Sequence, residues 1–258
     1  MANDETKGES PLSSPDLRPQ KTAMLVAQKI VADIASRGNK AGGRLPPEKS
    51  MLEEYQVGRG TLRESLRFLE LQGVISLKPG PGGGPVVLEP DVSGLSTAVL
   101  LLLQLDNAPF KTIAEARLGF EPVFAELAST RIAPDDRANL IRTVSEMSRS
   151  LDDLNVFLKM NQRFHSLIAH GSGNALYGHI IDMLLRILDG SAIGVDFPVP
   201  WRETVLGAHE SILDAITRED PEAASISMKE HIHGYINYAE QKFPELLEQP
   251  IVWTSMRS

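Results

Sequence analysis

The stretch from Arg44 to Gly84, RLPPEKSMLEEYQVGRGTLRESLRFLELQGVISLKPGPGGG, constrains the fold of this chain more than any other. Pro47 followed by Glu48 suits the first turn of a helix, because proline lacks only an N–H that would be unpaired there and the carboxylate complements the helix dipole. Met51, Leu52 and Tyr55 give that helix an inward side. A short turn at Gln56 to Gly58 leads to a second helix, about Gly60 to Gln72, in which Leu62, Leu66 and Leu69 form the buried stripe and Gly73 is the stop. Two β-prone runs, Val74 to Lys78 and Pro85 to Leu88, then flank a glycine-rich tip that allows close approach of backbone to a phosphate. Ahead of all this, Val26, Ile30 and Ile34 recur at helical spacing between Thr22 and Ser36, and Gly38 with Gly42-Gly43 opens a loop. Three helices and a hairpin in this order make a winged helix-turn-helix.

On the second short helix of that motif, Arg59, Arg63 and Arg67 recur every four residues on a face other than the leucine stripe. Side chains at that spacing project side by side and can reach phosphates or the O6 and N7 of guanine. The alternative is a solvated basic face balanced by Glu64 and Glu70. Charge along the chain is uneven in a way that bears on this choice. Arg18 to Lys78 holds eleven Lys/Arg against six Asp/Glu, in a chain whose net charge is -8. A basic module attached to an acidic one is the electrostatic outline of a nucleic-acid reader joined to a separate domain.

The 258 residues suit two domains, each with its own core. There is no Cys, which removes disulfides and thiolate metal sites. The opening segment, residues 1–20, is polar, rich in Pro and Ser, and expected to be a disordered tail, not a signal peptide. The longest apolar run, Leu95 to Leu105, falls short of the roughly 20 residues that span a bilayer. A cytoplasmic location with no membrane partner is the expectation. The glycine-rich tip lacks the Lys-Ser/Thr of a P-loop, so an NTPase is set aside.

The motif order in the first domain resembles the GntR family of transcription regulators. Arg44-Leu45-Pro46-Pro47-Glu48, Val57-x-Arg59-x-Thr61-x-Arg63-Glu64-x-Leu66, Leu69-x-x-x-Gly73-Val74-Ile75 and the glycine-rich wing carry the likeness over about Thr22 to Glu89. The resemblance implies DNA contacts by Lys49, Arg59, Thr61, Arg63 and Gly80. This chain departs from the family pattern at Gly58, often Ser or Thr, and at Gly60, usually polar. Glycine still serves as an N-cap at a cost of a few tenths of a kcal/mol, but it offers no hydroxyl to a phosphate.

Beyond Glu89-Pro90 the pattern is helical. Helices are expected near Leu95–Leu105, Thr112–Thr130, Pro134–Leu151, Leu154–Ala169, Ala175–Ile187, Glu203–Thr217 and Pro221–Gln241, with Pro122 kinking the second. The overall fold class is mainly α: residues 21–89 form the winged helix-turn-helix with its β-hairpin, and residues 90–243 an all-α bundle of about seven helices for effector binding and dimerisation. Residues 244–258 form a C-terminal tail whose role the sequence does not reveal.

All six histidines lie in this second domain. Asn161 and His165 are four apart and share a helix face, while His209 and His231 fall on two further helices. Three imidazoles and an adjacent oxygen donor can close around a divalent metal, or they can be hydrogen-bonded core residues. His170, His179 and His233 are assigned to surface or structural roles. Arg117 either grips an effector carboxylate in a planar two-point pair or bonds Glu121 at i, i+4.

Arg117-x-x-x-Glu121-Pro122, Phe164-His165 with Gly173-Asn174, His209-Glu210-x-Ile212-x-x-Ala215-Ile216 and Ala224-x-x-x-Met228-x-x-His231 look like the effector-binding domain of the FadR subfamily, the FCD domain. The resemblance implies one divalent ion per chain, zinc or nickel, with Asn161, His165, His209 and His231 as ligands. Asn161 stands where metal-containing members commonly have an acid. It also implies a homodimer on a palindromic double-stranded operator, switched by a small organic acid held by Arg117 and the metal ligands, and acting as a repressor. The alternatives are a metal-free regulator that responds to an acyl chain or acyl-CoA, and a helical-bundle metalloenzyme activating water with the three histidines. A sequence-neutral DNA scaffold is a further possibility, and the enzyme lacks an accompanying general base.

Overall fold

A computed structural model describes residues 17–80, 83–89, 91–188 and 197–253. The chain divides into two compact units, Met1–Gly94 and Leu95–Ser258.

The first unit begins with α1 (Leu17–Ser36), α2 (Glu48–Tyr55) and α3 (Arg59–Leu71) and ends in the antiparallel pair β1 (Ile75–Lys78) and β2 (Gly84–Val87). Of the tail expected over residues 1–20, residues 1–16 lie outside the described residues. Leu17 to Gln20 correct that expectation, because they form the first turn of α1. Pro19 is compatible with this, since first-turn N–H groups have no helical acceptor. Ala23, Val26, Ala27 and Ile30 bury one face of α1 against Leu62, Leu66 and Leu69 of α3, with Met51 of α2 and Ile75 of β1 closing the same core. Ser65 is the polar member of that interface; its hydroxyl lies 2.8 Å from the carbonyls of both Ala23 and Thr61.

The wing pairs Ile75 with Val87 and Lys78 with Gly84. Its third edge comes from the stretch read as a loop, because Arg44 bridges to Val86, Val87 N donates to Gly43 O and Leu45 N donates to Pro85 O. Gly83 has no substitute at the tip: a Cβ there would lie 2.2 Å from the Lys78 carbonyl oxygen.

The second unit comprises α4 (Ser93–Leu105, whose first two residues belong to the first unit), α5 (Lys111–Arg131), α6 (Pro134–Arg149), α7 (Leu154–Gly171), α8 (Ala175–Ile187), α9 (Val199–Thr217), α10 (Pro221–Lys242) and the short α11 (Pro244–Leu247). Helix α5 is central and packs against α7, α8, α9 and α10. It continues through Pro122 as one element. Side-chain caps start three helices: Asp153 accepts from Val156 N, Asn174 from Leu176 N and Asp220 from Ala223 N. Phe124, Phe157, Phe164, Leu140, Met147, Ile168 and Met228 fill the core between them.

Two expectations need correction here. Helix α9 starts at Val199, not Glu203, because Pro198 caps it and Pro200 occupies the first turn, where a missing N–H costs nothing. The segment after Pro244 is no loose tail as far as residue 253. It forms α11, Ile251 is fully buried, Ile251 N donates to Ala108 O and Phe110 N donates to Gln249 O. Residues 254–258 lie outside the described residues.

Candidate functional site

In the first unit, chemistry is carried by exposed side chains on α2, α3 and the wing. Arg59, Arg63, Arg67 and Lys49 are exposed, Thr61 is half-buried at the start of α3, and Gly80 enters the hairpin tip with φ +93°. Gly58 caps α3 with extended backbone and no side-chain bond, as its lack of a hydroxyl requires. Arg59 has no ion-pair or hydrogen-bond partner among the described residues. Arg63 Nε lies 3.3 Å from Glu48 Oε1, yet its side chain stays 70% exposed. Such a pair is weak and easily exchanged for a phosphate. Arg67 is held differently: it pairs with Glu70, whose other oxygen accepts from Leu77 N and so ties α3 to the wing. A groove of about 840 Å³ runs between α2, α3 and the wing, with Arg44, Arg63 and Arg67 on its walls.

In the second unit the predicted residues converge inside the bundle. His165 comes from α7, His209 from α9 and His231 from α10, and all three are buried. His231 Nε2 lies 3.2 Å from His209 Nε2 and 3.3 Å from His165 Nε2. The Phe164 ring stacks on His209 at 3.8 Å and fixes its plane. On the far side of His165, Nδ1 bonds the Glu121 carboxylate, and Arg117 Nε donates to the other Glu121 oxygen. The sequence therefore left two roles open for Arg117, and its guanidinium is engaged in the buried Glu121 pair.

Electrostatics fix where the protons are. Burial would raise the Glu121 carboxyl, but the Arg117 and His165 charges and hydrogen bonds hold it down to about 2, so it is ionised. Burial lowers the His165 pKa against the pull of Glu121, and burial followed by the neighbouring imidazoles pushes His209 and His231 well below the usual range. Burial thus favours the neutral form of all three rings. An ionised Glu121 takes the Nδ1 proton of His165 as its hydrogen bond, which leaves the Nε2 lone pair of His165 aimed inward at the other two rings.

This donor set suits a divalent ion. With metal–nitrogen bonds of about 2.0–2.1 Å, the edge of a tetrahedral site is about 3.3–3.4 Å, close to the 3.2 and 3.3 Å that separate His231 Nε2 from the other two rings. The carboxylate behind His165 is the usual device for orienting a ligating imidazole. His209 Nδ1 is buried with no hydrogen-bond partner among the described residues, so among these that ring lacks the corresponding support. Asn161 half-buries its amide on the same α7 face and lines, with Arg117, His165, His231 and Tyr235, a cavity of about 50 Å³. His170 is exposed and bonds Asp182 through Nε2 at 2.9 Å, with the ring of His179 edge-on beside it; His233 is exposed.

Glu121 is the member of the candidate site whose place beside His165 the sequence did not reveal. The sequence offered it as a partner for Arg117 and as a member of the Arg117-x-x-x-Glu121-Pro122 motif, whereas its bond to His165 spans 44 residues of chain. Tyr235 and Trp201 on the cavity wall carried no signal beyond helical apolar spacing.

Comparison with known proteins gives this geometry a context. The family model for bacterial regulatory proteins of the gntR family matches residues 22–83, and that for the FCD domain matches residues 112–234. The chain is 30% identical over 210 residues to YcbG of Bacillus subtilis (strain 168), an uncharacterized HTH-type transcriptional regulator, covering 81% of this chain and 86% of that one. It is 25% identical over 239 residues to the HTH-type transcriptional repressor NanR of Enterobacter sp. (strain 638), covering 89% of each. Among solved structures, Streptococcus agalactiae GntR matches with a TM-score of 0.66 and 25% identity, over 83% of this chain and 99% of that one. A winged helix-turn-helix followed by an effector-binding helical domain defines a DNA-binding, ligand-responsive transcription regulator, not an enzyme. The chain belongs to the GntR family and carries an FCD domain. No helix among the described residues is long and apolar enough to cross a membrane.

Proposed function

We propose that this regulator is a homodimeric repressor of the FadR subfamily, acting in the cytoplasm on a palindromic operator and switched by a small carboxylate in its helical unit. The observation that carries the reading is the convergence of three buried imidazole nitrogens beside a small cavity that also holds Arg117 and Asn161.

His165, His209 and His231, with the Asn161 amide oxygen, hold one divalent ion, zinc or nickel. When bound, that ion supplies a localised positive charge for a carboxylate oxygen. Glu121 keeps His165 in the tautomer that presents Nε2, and Arg117 keeps Glu121 ionised. Tyr235 and Trp201 wall the cavity. A volume of about 50 Å³ suits a compact acid head group. An acyl chain needs a far larger space, since pockets for drug-sized ligands run to about 300–1,000 Å³.

In the reader, Lys49, Arg59, Thr61, Arg63 and Gly80 contact the operator. Two copies are needed because a single recognition helix makes too few base contacts for a specific site. The effector acts by favouring one arrangement of the paired readers.

The test is a mobility shift on DNA from the protein's own promoter region, with metal-loaded protein and a panel of small organic acids. Sequence-selective binding relieved by at least one acid is expected. Binding that tracks salt but not sequence, or that no acid alters, contradicts the proposal. Arg117→Ala, in protein shown to be folded, should abolish the acid response while leaving DNA binding in its absence intact.

A further inference from the structure

The inner cavity raises a problem that the rest of the helical unit answers. Arg117, the one cationic side chain among the described residues that line it, is already paired with Glu121. No uncommitted cationic side chain among them is left to draw in an anion. Immediately outside lies a second depression of about 490 Å³, between α7 and α8, with Lys159, Arg163 and Arg186 on its walls. Gln162 and Leu185 line both spaces, so the two adjoin at these side chains.

The sequence pattern builds this depression deliberately on two packed helices. Lys159, Gln162, Arg163 and Ser166 fall at i, i+3, i+4 and i+7, one face of α7, and Asp182, Leu185 and Arg186 fall at i, i+3 and i+4 on α8. Lys159, Arg163 and Arg186 are exposed, and none has an ion-pair or hydrogen-bond partner among the described residues. The one acid present, Asp182, is turned to His170 Nε2 at 2.9 Å. Three uncommitted cations in a chain of net -8 stand out against their surroundings.

We infer that Lys159, Arg163 and Arg186 form an outer anion subsite, and that the effector is doubly anionic: a compact acid head enters the inner cavity while a second anionic group, a phosphate ester or a carboxylate, rests on these three side chains. The inference rests on the reading of the inner cavity as the effector site. Arg163 and Arg186 supply forked donors that match the oxygens of either group, and Lys159 adds a point charge. The same cluster concentrates anions outside the inner cavity, where Gln162 and Leu185 join the two spaces. Specificity then has two parts, the head group read inside and the distant charge read outside.

The probes are inorganic pyrophosphate and succinate, titrated into metal-free full-length protein, with zinc titrated separately. Wild type should bind at least one anion, and Arg163→Ala/Arg186→Ala should weaken that binding tenfold or more, whereas Arg142→Ala on α6 should not. Tighter pyrophosphate than succinate identifies the second group as a phosphate ester; the reverse identifies a carboxylate. Zinc uptake should be the same in wild type and in the double variant. If neither anion binds wild type, or if the double variant binds as well as wild type, the subsite is overturned. If zinc alone fails to bind while the anion result holds, the metal centre is overturned and the outer subsite stands.

Discussion

The two units solve opposite physical problems with similar residue types. In the winged unit, the arginines that matter are exposed and held weakly or not at all: Arg59 has no partner among the described residues, and Arg63 keeps 70% of its side chain in solvent beside Glu48. In the helical unit the arginine beside the histidines, Arg117, is buried, and so are its carboxylate partner and the three imidazoles behind it. A reader of DNA must leave its charges available, because the phosphates complete them. A sensor of a small ligand must hold its polar groups in one geometry before the ligand arrives, and burial with mutual hydrogen bonds is how that is achieved. Substitutions in the buried cluster should therefore damage stability, whereas those of the exposed arginines on α3 should damage binding alone.

Removing the buried carboxylate tests that contrast most severely. Glu121→Ala leaves Arg117 and His165 buried without their partner, and breaking a buried pair this way costs roughly 3–5 kcal/mol. Urea unfolding should show that loss, and Arg117→Met/Glu121→Ala should recover much of it. Equal stability for Glu121→Ala and wild type would mean the pair is not a buried constraint. Next in size is the response of the same cluster to its ion. Zinc at about a hundredfold excess over its dissociation constant should stabilise the metal-free protein by about 2.7 kcal/mol, read as a rise of several degrees in melting temperature. A site that is only a packed core would give no rise.

On the exposed side the expectation reverses. Arg59→Ala and Arg63→Ala should each cost about 1–3 kcal/mol of operator binding and leave the unfolding midpoint unchanged. A large stability loss with normal binding would remove them from the interface. The smallest effect belongs to Gly60, which lies in the first turn of α3 with open space where a Cβ would go. Gly60→Ala should stabilise by up to about 1 kcal/mol in thermal unfolding without weakening DNA binding.

How well each region could be read in advance follows the same division. The reader is built from local signals: the leucine stripe of α3, the Pro47-Glu48 start and the glycine-rich tip all sit within one short stretch, and the elements formed close to where they were expected. The third edge of the wing was missed because a single bridge from Arg44 to Val86 has no periodicity. In the bundle, helical spacing located the helices and put Asn161 and His165 on one face. The Glu121 to His165 bond was invisible, since nothing local links two residues on different helices. Ile251 was missed for a related reason: its pairing with Ala108 depends on the chain returning to a loop far back in the sequence.

The central claim is that His165, His209 and His231 are a ligand set held ready for an ion, not a packed cluster of core histidines. Calorimetric titration of zinc into metal-free full-length protein near neutral pH tests it directly. The account predicts one ion per chain in the wild type and loss of that binding in a folded His209→Ala variant. A flat titration of the wild type, or the same stoichiometry in the variant, would contradict it.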